Sequence, residues 1–569
     1  MSVTDETAHQ GKVMPLDRAI STLVRPHDVV LAAYTEARPN AALMQLARTF
    51  ARTDPQLTLV TAGMVSVQHA LVELGVVSKV VASFIGENYP SARPSPSFQR
   101  AVAAGRVTVE NWSMWGLLAR LVAGALGVPL MPVRSIAGSS MAEENRHAFT
   151  QIADPFGGAE PVWAVAALRP DITIVHAVAA DPSGNLLLSA PYGEAHWGCL
   201  AARRGVIATV EQVVDPAVIR AHNALVRVPG HVVRAVCRAP LGSHPYGLFN
   251  PGVDGIDHYV DDGVFMSEVR AAAAKPDTFR TWIDEWILGV GSHDAYLAKL
   301  GDDRRHKLIA EASDVSAAPS PWTGPASHVE RQIVAASRQI TRRVLAADFD
   351  AILAGVGLAN LASWISAEGV KAAGGAVELM AEIGMYGYTP QSGDPFIFSH
   401  RNLPTSTMLS DVMTTLGALV SGPGTRSLGV LGAGEVDADG NTGSTYSGNG
   451  RYLVGSGGAN DIASGADEVL LTVSHRRLVP KVRYVTCPGQ RVRNVVSSRG
   501  VFERDGDQWA LRSWIAPDGQ DLRAAVAAMR ADSPWPFRVA PDAVPEPEPT
   551  ARELSLLRSF DPGRVFLRL

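Results

Sequence analysis

Glu382 is the residue whose position in this sequence most directly suggests chemistry. It follows a largely apolar run, Val377 to Ala381, in the stretch VELMAEIGMYGYTP (377–390), and glycines follow at 384 and 387. A chain normally buries its apolar strands and leaves Glu in water. This carboxylate is therefore either a solvated strand-end residue or a placed functional group. A placed carboxylate can serve as a nucleophile.

Two glycine-rich turns could supply backbone N–H donors for such chemistry. Glycine has no Cβ to block the approach of a ligand, and a donor aimed at a developing oxyanion is worth about 2.7–4 kcal/mol. Both turns could equally be tight strand-to-helix turns that bind nothing. The first is GVGLAN, with Gly355 and Gly357, and the second is GSGGAND, with Gly455, Gly457, Gly458, Ala459 and Asn460.

Other candidate residues have strong structural alternatives. Arg134, in MPVRSIAGSS, could bind a substrate carboxylate through its planar guanidinium or form a structural salt bridge. His176 ends the apolar run DITIVH, where we expect a hydrogen-bonded core histidine rather than a catalytic base. Ser139 and Ser140 precede a helical pattern, and we expect them to cap that helix.

Length and composition indicate a globular protein with more than one core. The chain has 569 residues, of which 46% are hydrophobic and 19% charged, and its net charge of -5 gives no reason to expect nucleic acid or membrane partners. Its three cysteines fit neither a disulfide framework nor a zinc motif. The N-terminus does not read as a signal peptide, and no run of about 18 apolar residues occurs. We expect a soluble cytoplasmic protein.

The order of elements predicts an α/β fold. Short β-branched runs alternate with longer Ala-rich stretches, as in DVVLAAY, NAALMQLARTFART and LTLVTAG, which is the pattern of βαβ units. A segment rich in Ala, Ser and Pro interrupts this pattern. We predict two related open-sheet α/β domains in tandem, over 1–312 and 329–569, joined by a linker over 313–328.

The two halves share a motif in the same place. HAVAADPSGNLLLS in the first half corresponds to LGAGEVDADGNTGST in the second, with Asp-x-x-Gly-Asn at 181–185 and at 437–441. One copy alone signals only a turn. Two copies in matching order, each after an apolar run, favour a duplicated domain. Sites in such folds lie at the carboxyl ends of the strands.

Cofactor motifs are not found in the sequence. It has no H-E-x-x-H, no paired cysteines and no P-loop, and GVGLAN carries Asn360 where a dinucleotide fingerprint needs its third glycine. We therefore predict no metal, no ATP and no NAD.

With these stretches in view, the sequence resembles the class I coenzyme A transferases, in particular the glutaconate type with its separate α and β subunits. The resemblance covers roughly residues 15–310 as α-like and 328–565 as β-like, so that both would be fused in one chain. The matching stretches include VVASFIGENYPSARPSPSFQRAVAAGRV, LARLVAGALGVPLMPVRSIAGSS, AILAGVGLANLA, ELMAEIGMYG, GAGEVDADGNTGST, VGSGGANDIASGADEV and SSRGVFERDG.

The resemblance implies a fold of the NagB-RpiA-like superfamily and a nucleophilic role for Glu382. A ping-pong reaction would move CoA between an acyl-CoA and a small carboxylic acid through a glutamyl-CoA thioester. Coenzyme A would be a substrate, with no permanently bound cofactor. The 455–460 turn would hold the thioester, the 355–357 turn would be a wall of the same pocket, and the assembly would be a homodimer.

Departures from the family pattern keep two alternatives open. The acid turn has Ile383 where many members have Ser, and the AAYTEARPNAAL turn lacks the glycine pair of many relatives. Some relatives are hydrolases of CoA-linked substrates that carry their acid at the place of Ser113–Trp115, where this chain has none, although Glu110 lies close by. A metabolite-sensing protein of the wider superfamily is the third possibility.

Overall fold

The computed structural model of the chain describes residues 11–33, 37–89, 91–158, 161–313, 322–516 and 520–568. The strands of the first half are β1 Val29–Ala32, β2 Leu57–Val65, β3 Val77–Gly86, β4 Thr108–Asn111, β5 Leu130–Pro132, β6 Phe149–Ile152, β7 Val162–Ala166, β8 Ile172–Ala180, β9 Leu186–Leu187, β10 Val206–Val213, β11 Val226–Val228 and β12 Val233–Arg238. Its helices are α1 Leu16–Leu23, α2 Asn40–Phe50, α3 His69–Glu73, α4 Pro96–Ala103, α5 Met114–Leu126, α6 Ser140–Glu144, α7 Ala195–Ala201, α8 Pro216–Ala221, α9 Gly263–Ala273, α10 Pro276–Ile283, α11 His293–Leu300 and α12 Asp302–Ser313.

In the second half the strands are β13 Ala351–Ala354, β14 Glu378–Ala381, β15 Met385–Tyr386, β16 Met408–Leu409, β17 Ser427–Gly432, β18 Glu435–Val436, β19 Thr442–Gly443, β20 Glu468–Val473, β21 Val492–Ser497, β22 Gly500–Asp505, β23 Gln508–Trp514 and β24 Arg538–Pro545. The helices are α13 His328–Ala347, α14 Leu358–Ala372, α15 Ala459–Gly465, α16 Leu522–Asp532 and α17 Ala551–Phe560, and Met413–Val420 forms a π-helical segment.

Each half is built on its own mostly parallel sheet. The first sheet has nine strands, with the path β11-β9-β8-β1-β2-β3-β4 and with β10 and β12 continuing from β8. The second has ten strands in the order β16-β15-β14-β13-β17-β20-β21-β22-β23-β24. Strand β8 is buried along its whole length, as expected for a parallel strand covered on both faces. The predicted α/β class with two open sheets in tandem is confirmed.

The two sheets share one central strand order. In the first half β12, β10, β8, β1 and β2 are parallel neighbours, and in the second half β21, β20, β17, β13 and β14 are parallel neighbours in the same sequence order. This shared order agrees with the duplication that the repeated motif predicts.

The two Asp-x-x-Gly-Asn motifs form the same hydrogen-bonded turn. The Asn185 N–H donates to Asp181 Oδ1 over 3.0 Å, and the Asn441 N–H donates to Asp437 Oδ1 over 2.9 Å. Each Asn side chain then accepts from a more distant glycine: Asn185 Oδ1 from the Gly230 N–H at 2.8 Å, and Asn441 Oδ1 from the Gly489 N–H at 2.9 Å. A turn motif is thus also the anchor of a distant loop in both halves.

The halves are joined by a common apolar core. Helix α5 of the first half is buried along most of its length, in one cluster with side chains of the second half such as Leu416 and Val420. Trp115 lies so close to the π-helical segment that a Cβ on Gly417 would be 3.2 Å from its ring. Burying the faces of both halves together stabilises their contact in proportion to the apolar area removed from water.

A buried ion pair ties the start of α13 to the C-terminal helix. Ser327 and Glu330 form a capping box at the N-terminus of α13. The Glu330 carboxylate is fully buried and binds the Arg558 guanidinium through two contacts, at 2.7 and 3.1 Å. Of the predicted linker, residues 314–321 lie outside the described residues, and the domain boundaries stay predictions.

Two further expectations concern the described residues. None of the helices among them is both long and apolar enough to cross a lipid bilayer. Cys199, Cys237 and Cys487 are buried free thiols.

We expect Glu330→Ala to destabilise the protein by about 3–5 kcal/mol, because it leaves the buried Arg558 charge without its partner. Urea denaturation of the full chain measures this change. The matched control is Glu548→Ala, which removes an exposed partner of Arg331. It should cost at most about 1 kcal/mol. Equal losses from the two variants would contradict the prediction.

Candidate active site

Glu382 lies at the point where β14 turns into β15. Strand β14 ends at Ala381, and its register with β15 pairs Met380 with Tyr386. Gly384, inside the turn, has φ +123°, and a Cβ there would lie 2.3 Å from the Ser410 carbonyl oxygen. Only glycine fits this turn, which is why the glycine follows the acid so closely. The turn leaves Glu382 partly buried rather than solvated.

The structure brings Glu382 together with the second glycine-rich turn. The Gly458 N–H donates to Glu382 Oε2 over 3.0 Å. A Cβ on Gly458 would lie 2.1 Å from that oxygen and a Cβ on Gly457 would lie 3.7 Å from Oε1. The carboxylate therefore lies directly against the glycine backbone, with no room for a side chain at 458.

The glycine loop is hydrogen-bonded to the first half of the chain. The Ile85 N–H donates to the Val454 carbonyl at 2.8 Å, and Gly455 continues this contact as an antiparallel bridge to Phe84. The Gly457 N–H donates to the Ser83 carbonyl at 2.9 Å. The end of β3 thus holds the loop that touches Glu382, and the site lies where the two halves meet.

Helix α5 is anchored to the same loop. The Met114 N–H donates to the Gly457 carbonyl at 3.0 Å, and the Trp115 N–H donates to Asp461 Oδ2 at 3.0 Å. Asp461 is fully buried. A carboxylate at a helix N-terminus is stabilised by unpaired N–H groups and by the helix dipole. Asp461 of the second half therefore caps a helix of the first.

Ala459 and Asn460 complete this arrangement. Ala459 is the first residue of α15, directly after the loop. The Asn460 side chain accepts from the Ile136 N–H at 2.7 Å and donates to the Thr486 carbonyl at 2.8 Å. Asn460 is completely buried, and these contacts give it a structural role between the two halves.

The surroundings of Glu382 raise its proton affinity. Burial is the largest cause and the nearby Asp461 carboxylate the second, while the Gly458 N–H opposes both, and together they raise the pKa of Glu382 to about 7. Burial likewise raises the pKa of Asp461 to about 6, against contacts with Ser113, Ser135 and the start of α5. Glu382 is consequently close to half-ionised at neutral pH, and its carboxylate is more basic than a solvated one.

The backbone of the acid turn is held on its other side by four hydrogen bonds from both halves. The Thr415 hydroxyl donates to the Glu382 carbonyl at 2.7 Å, and the Gly193 N–H donates to the Ile383 carbonyl at 3.2 Å. The Ser410 N–H donates to the Gly384 carbonyl, and the Tyr192 N–H donates to the Ser410 carbonyl, both at 2.7 Å. A turn held from two sides keeps its carboxylate in one place.

The first glycine-rich turn and Arg134 are not among the contacts of Glu382. Gly355 and Gly357 form the turn from β13 to α14, in which the Gly357 N–H donates to Asn360 Oδ1 at 2.6 Å. A Cβ on Gly357 would approach only Phe566, at 3.7 Å. Arg134 is exposed and donates to the Ser421 carbonyl at 2.9 Å, so it bridges the halves. Their predicted part in substrate binding is a prediction that these contacts do not support.

His176 lies in the core, as expected. It is fully buried, with Nδ1 3.0 Å from Thr209 Oγ1 and Nε2 2.8 Å from Glu211 Oε1. The expectation that Ser139 and Ser140 cap helix α6 with their side chains is wrong. The Ser139 hydroxyl donates back to the Ile136 carbonyl at 2.6 Å, and Ser140 Oγ accepts from the Val485 N–H at 2.9 Å. A partner from the second half competes successfully with the local cap.

The place where hydrolytic relatives would carry an acid is a helix cap in this chain. Ser113 Oγ accepts from the Gly116 N–H at 3.1 Å at the start of α5. The nearby Glu110 is bound by Lys79 at 2.7 Å and by Arg120 at 3.0 Å. Burial alone would raise the pKa of Glu110, but hydrogen bonds from Lys79 and Trp112 and the charge of Arg120 bring it to about 2. Glu110 is therefore a fixed structural anion.

Several residues of the site were not predicted from the sequence. Asp461 stands in the GSGGAND motif, and its type alone was a signal that could have been used. Ser83, Gly193 and Thr415 contribute a backbone group or a hydroxyl from distant parts of the chain, and no local pattern marks them. Among the described residues, no group of three or more His, Cys, Asp or Glu side chains could hold a metal ion.

Comparison with known proteins agrees with this geometry. The family model described as Coenzyme A transferase matches residues 13–239. One of the two chains of the 3-oxoadipate CoA-transferase of Pseudomonas knackmussii is 30% identical over 298 residues, which are 52% of this protein and 100% of that relative. The chain belongs to the coenzyme A transferase family. The resemblance seen in the sequence is confirmed, and so is the assignment to this family of enzymes.

Other members of the coenzyme A transferase family extend the match. The corresponding chain of the glutaconate CoA-transferase of Acidaminococcus fermentans is 28% identical over 320 residues, covering 52% of this protein and 93% of that relative. The crystal structure of an acyl-CoA transferase from E. coli O157:H7 superposes with a TM-score of 0.66 at 14% identity. It covers 97% of this chain and 96% of that one, so the fold is shared over both halves.

We expect Asp461→Asn to lower the pKa of Glu382, because it removes the nearby negative charge that disfavours ionisation. Carbodiimides label protonated carboxyl groups, so labelling of Glu382 should fall as pH rises through about 7 in the natural protein and at lower pH in the variant. Mass spectrometry of the peptide over 377–390 measures this, with the exposed Glu378 on the same peptide as the reference. An unchanged midpoint would show that Asp461 does not act on Glu382 electrostatically.

Proposed function

We propose that this protein transfers coenzyme A between an acyl-CoA and a carboxylic acid through a covalent intermediate on Glu382. The observation that carries the proposal is the position of its carboxylate, partly buried where the two halves meet and 3.0 Å from the Gly458 N–H. Membership of the coenzyme A transferase family supports the substrate class. The acyl group and the acceptor acid are left open.

The reaction begins with attack of the Glu382 carboxylate on the thioester carbonyl. The C–S bond breaks, CoA leaves as a thiolate, and an acyl-glutamyl anhydride forms. The thiolate then attacks the glutamyl carbonyl of the anhydride, so that a glutamyl-CoA thioester remains and the acid departs as a carboxylate. A second carboxylate reverses both steps and leaves as the new acyl-CoA. No electrons are exchanged with an outside donor, and no metal is needed for the balance.

The environment of Glu382 suits the first step. Burial makes the carboxylate more basic than in water, which favours attack, while a pKa of about 7 still leaves a large ionised fraction at neutral pH. Holding the thioester against a fixed nucleophile could contribute about 7–11 kcal/mol. The Gly458 N–H lies against the reacting carboxyl group and could stabilise charge that develops there.

Two other functions lead to different outcomes with the same substrate. A hydrolase would release free CoA from acyl-CoA in the absence of any acceptor acid. In this chain the place at which hydrolytic relatives would carry an acid is Ser113, and it caps a helix. A metabolite-sensing protein would bind acyl-CoA without turnover. A homodimeric assembly and a cytoplasmic location stay predictions.

Incubation with acyl-CoA alone should leave CoA attached to the peptide over 377–390. Mass spectrometry of a digest measures the adduct, and Glu382→Gln should abolish both the adduct and CoA transfer. Glu378→Gln, at the exposed start of the same strand, is the matched control and should retain both. Transfer that survives in Glu382→Gln would refute the proposed role of Glu382.

We also expect Gly458→Ala to reduce transfer by about 100-fold or more, because its Cβ would occupy the place of the Glu382 carboxylate and displace the N–H donor. Steady-state kinetics measure the loss. Gly424→Ala is the control, because a Cβ at 424 has no neighbour within 4 Å. Near-normal turnover in Gly458→Ala would show that the contact between this glycine and the acid is not part of the reaction.

A further inference from the structure

A second cavity lies between the two halves, on the far side of the acid turn. Its volume is about 340 Å³. Neither Glu382 nor the loop over 455–460 lines it, so it is distinct from the site described above. The lining comes from the first half through Tyr192, His196, Trp197 and Arg227, and from the second half through Ser410, Asp411, Met413, Thr414 and Ala418.

The negative charge in this cavity is fully used by the protein. Asp411 Oδ1 accepts from the N–H and from the hydroxyl of Thr414, both at 2.8 Å. Asp411 Oδ2 lies 3.3 Å from Trp197 Nε1 and 3.3 Å from His196 Nε2. With its carboxylate surrounded by four donors, Asp411 is a fixed part of the wall and has little capacity for a further ligand.

The positive charge, by contrast, is available. The Arg227 guanidinium stands 5.1 Å from the centre of the Tyr192 ring, and the residue is exposed. Within the described part of the chain, its side chain has no hydrogen-bond or ion-pair partner. A guanidinium beside an aromatic wall is suited to bind a carboxylate through its planar fork.

His196 adds a buried polar atom that lacks a partner. Its Nε2 faces Asp411, while its Nδ1 is buried and makes no hydrogen bond within the described residues. Burial lowers the pKa of His196 to about 4, with Asp411 opposing and Arg227 adding to the shift, so the ring is neutral near pH 7. With the proton on Nε2, Nδ1 is an acceptor that needs a donor from a ligand or from water.

We propose that this cavity binds a small carboxylic acid with an apolar or aromatic body, its carboxylate on Arg227 and its body between Tyr192, Trp197 and Met413. The volume is at the lower end of the range of about 300–1,000 Å³ for small-molecule sites, which suits such an acid and excludes coenzyme A as a whole. The proposal goes beyond the transfer reaction, because the acid binds here without contact with Glu382.

Such a ligand would touch the residues that hold the acid turn. Tyr192 and Ser410 line the cavity, and the Ser410 backbone is bonded both to Gly384 and to Tyr192. The two walls of the cavity belong to different halves, so an occupant would contact both. The site is therefore placed to join the halves behind the nucleophile.

Benzoate is the probe, with benzamide as its uncharged analogue. Ligand-observed NMR should show saturable binding of benzoate and weaker binding of benzamide. Arg227→Gln should raise the Kd for benzoate about tenfold, which corresponds to about 1.4 kcal/mol. Arg220→Gln, on the nearby exposed end of α8 and outside the cavity lining, is the matched control and should leave the Kd unchanged.

Two further arms separate this site from the catalytic one. Glu382→Gln should bind benzoate as the natural protein does, even if transfer is lost. Photolysis with 4-azidobenzoate should label peptides that contain 192–197 or 410–418. Loss of benzoate binding in Glu382→Gln with retention in Arg227→Gln, labelling confined to other peptides, or no saturable binding would each overturn the proposal.

Discussion

The contact between the Gly458 N–H and the Glu382 carboxylate is the constraint on which the rest of the site depends. Its two partners are 76 residues apart, and the loop that carries the donor is held by strand β3 and helix α5 of the other half. The separation of the halves is therefore also the distance between the acid and its donor. A shift of about 1 Å between the halves would misalign both groups, which can cost about 100-fold in rate.

The electrostatic balance of the site follows from the same arrangement. Burial of Glu382 and the carboxylate of Asp461 raise the proton affinity of the nucleophile, while the N-terminus of α5 stabilises Asp461 as an anion. A more basic carboxylate attacks faster but is ionised less often at a given pH. A pKa of about 7 is close to the best compromise near neutral pH, and the first half contributes to it through one helix end.

The local features of the site could be predicted from the sequence, because they depend on neighbouring residues. Glu382 at a strand end, the glycine beside it and the repeated Asp-x-x-Gly-Asn turn all follow from short patterns. Ser140 shows where this reasoning fails: its side chain has a partner 345 residues away, and the local rule for helix capping does not apply. The anchoring of α5 by Asp461 spans 346 residues and left no pattern beyond the residue type itself.

The duplication explains why one chain has a single nucleophile held from two sides. Strand β2 corresponds to β14, yet β2 is followed by Ser66 and a short turn in which Gln68 Oε1 accepts from the Val65 N–H, whereas β14 is followed by Glu382. The loops before α7 and α15 also correspond, since each lies between the repeated turn and the next parallel strand. Both loops converge on the same acid turn, one through the Gly193 N–H on the Ile383 carbonyl and one through the Gly458 N–H on the carboxylate. The first half has kept the frame of a site and supplies its support, and only the second half supplies the reacting group.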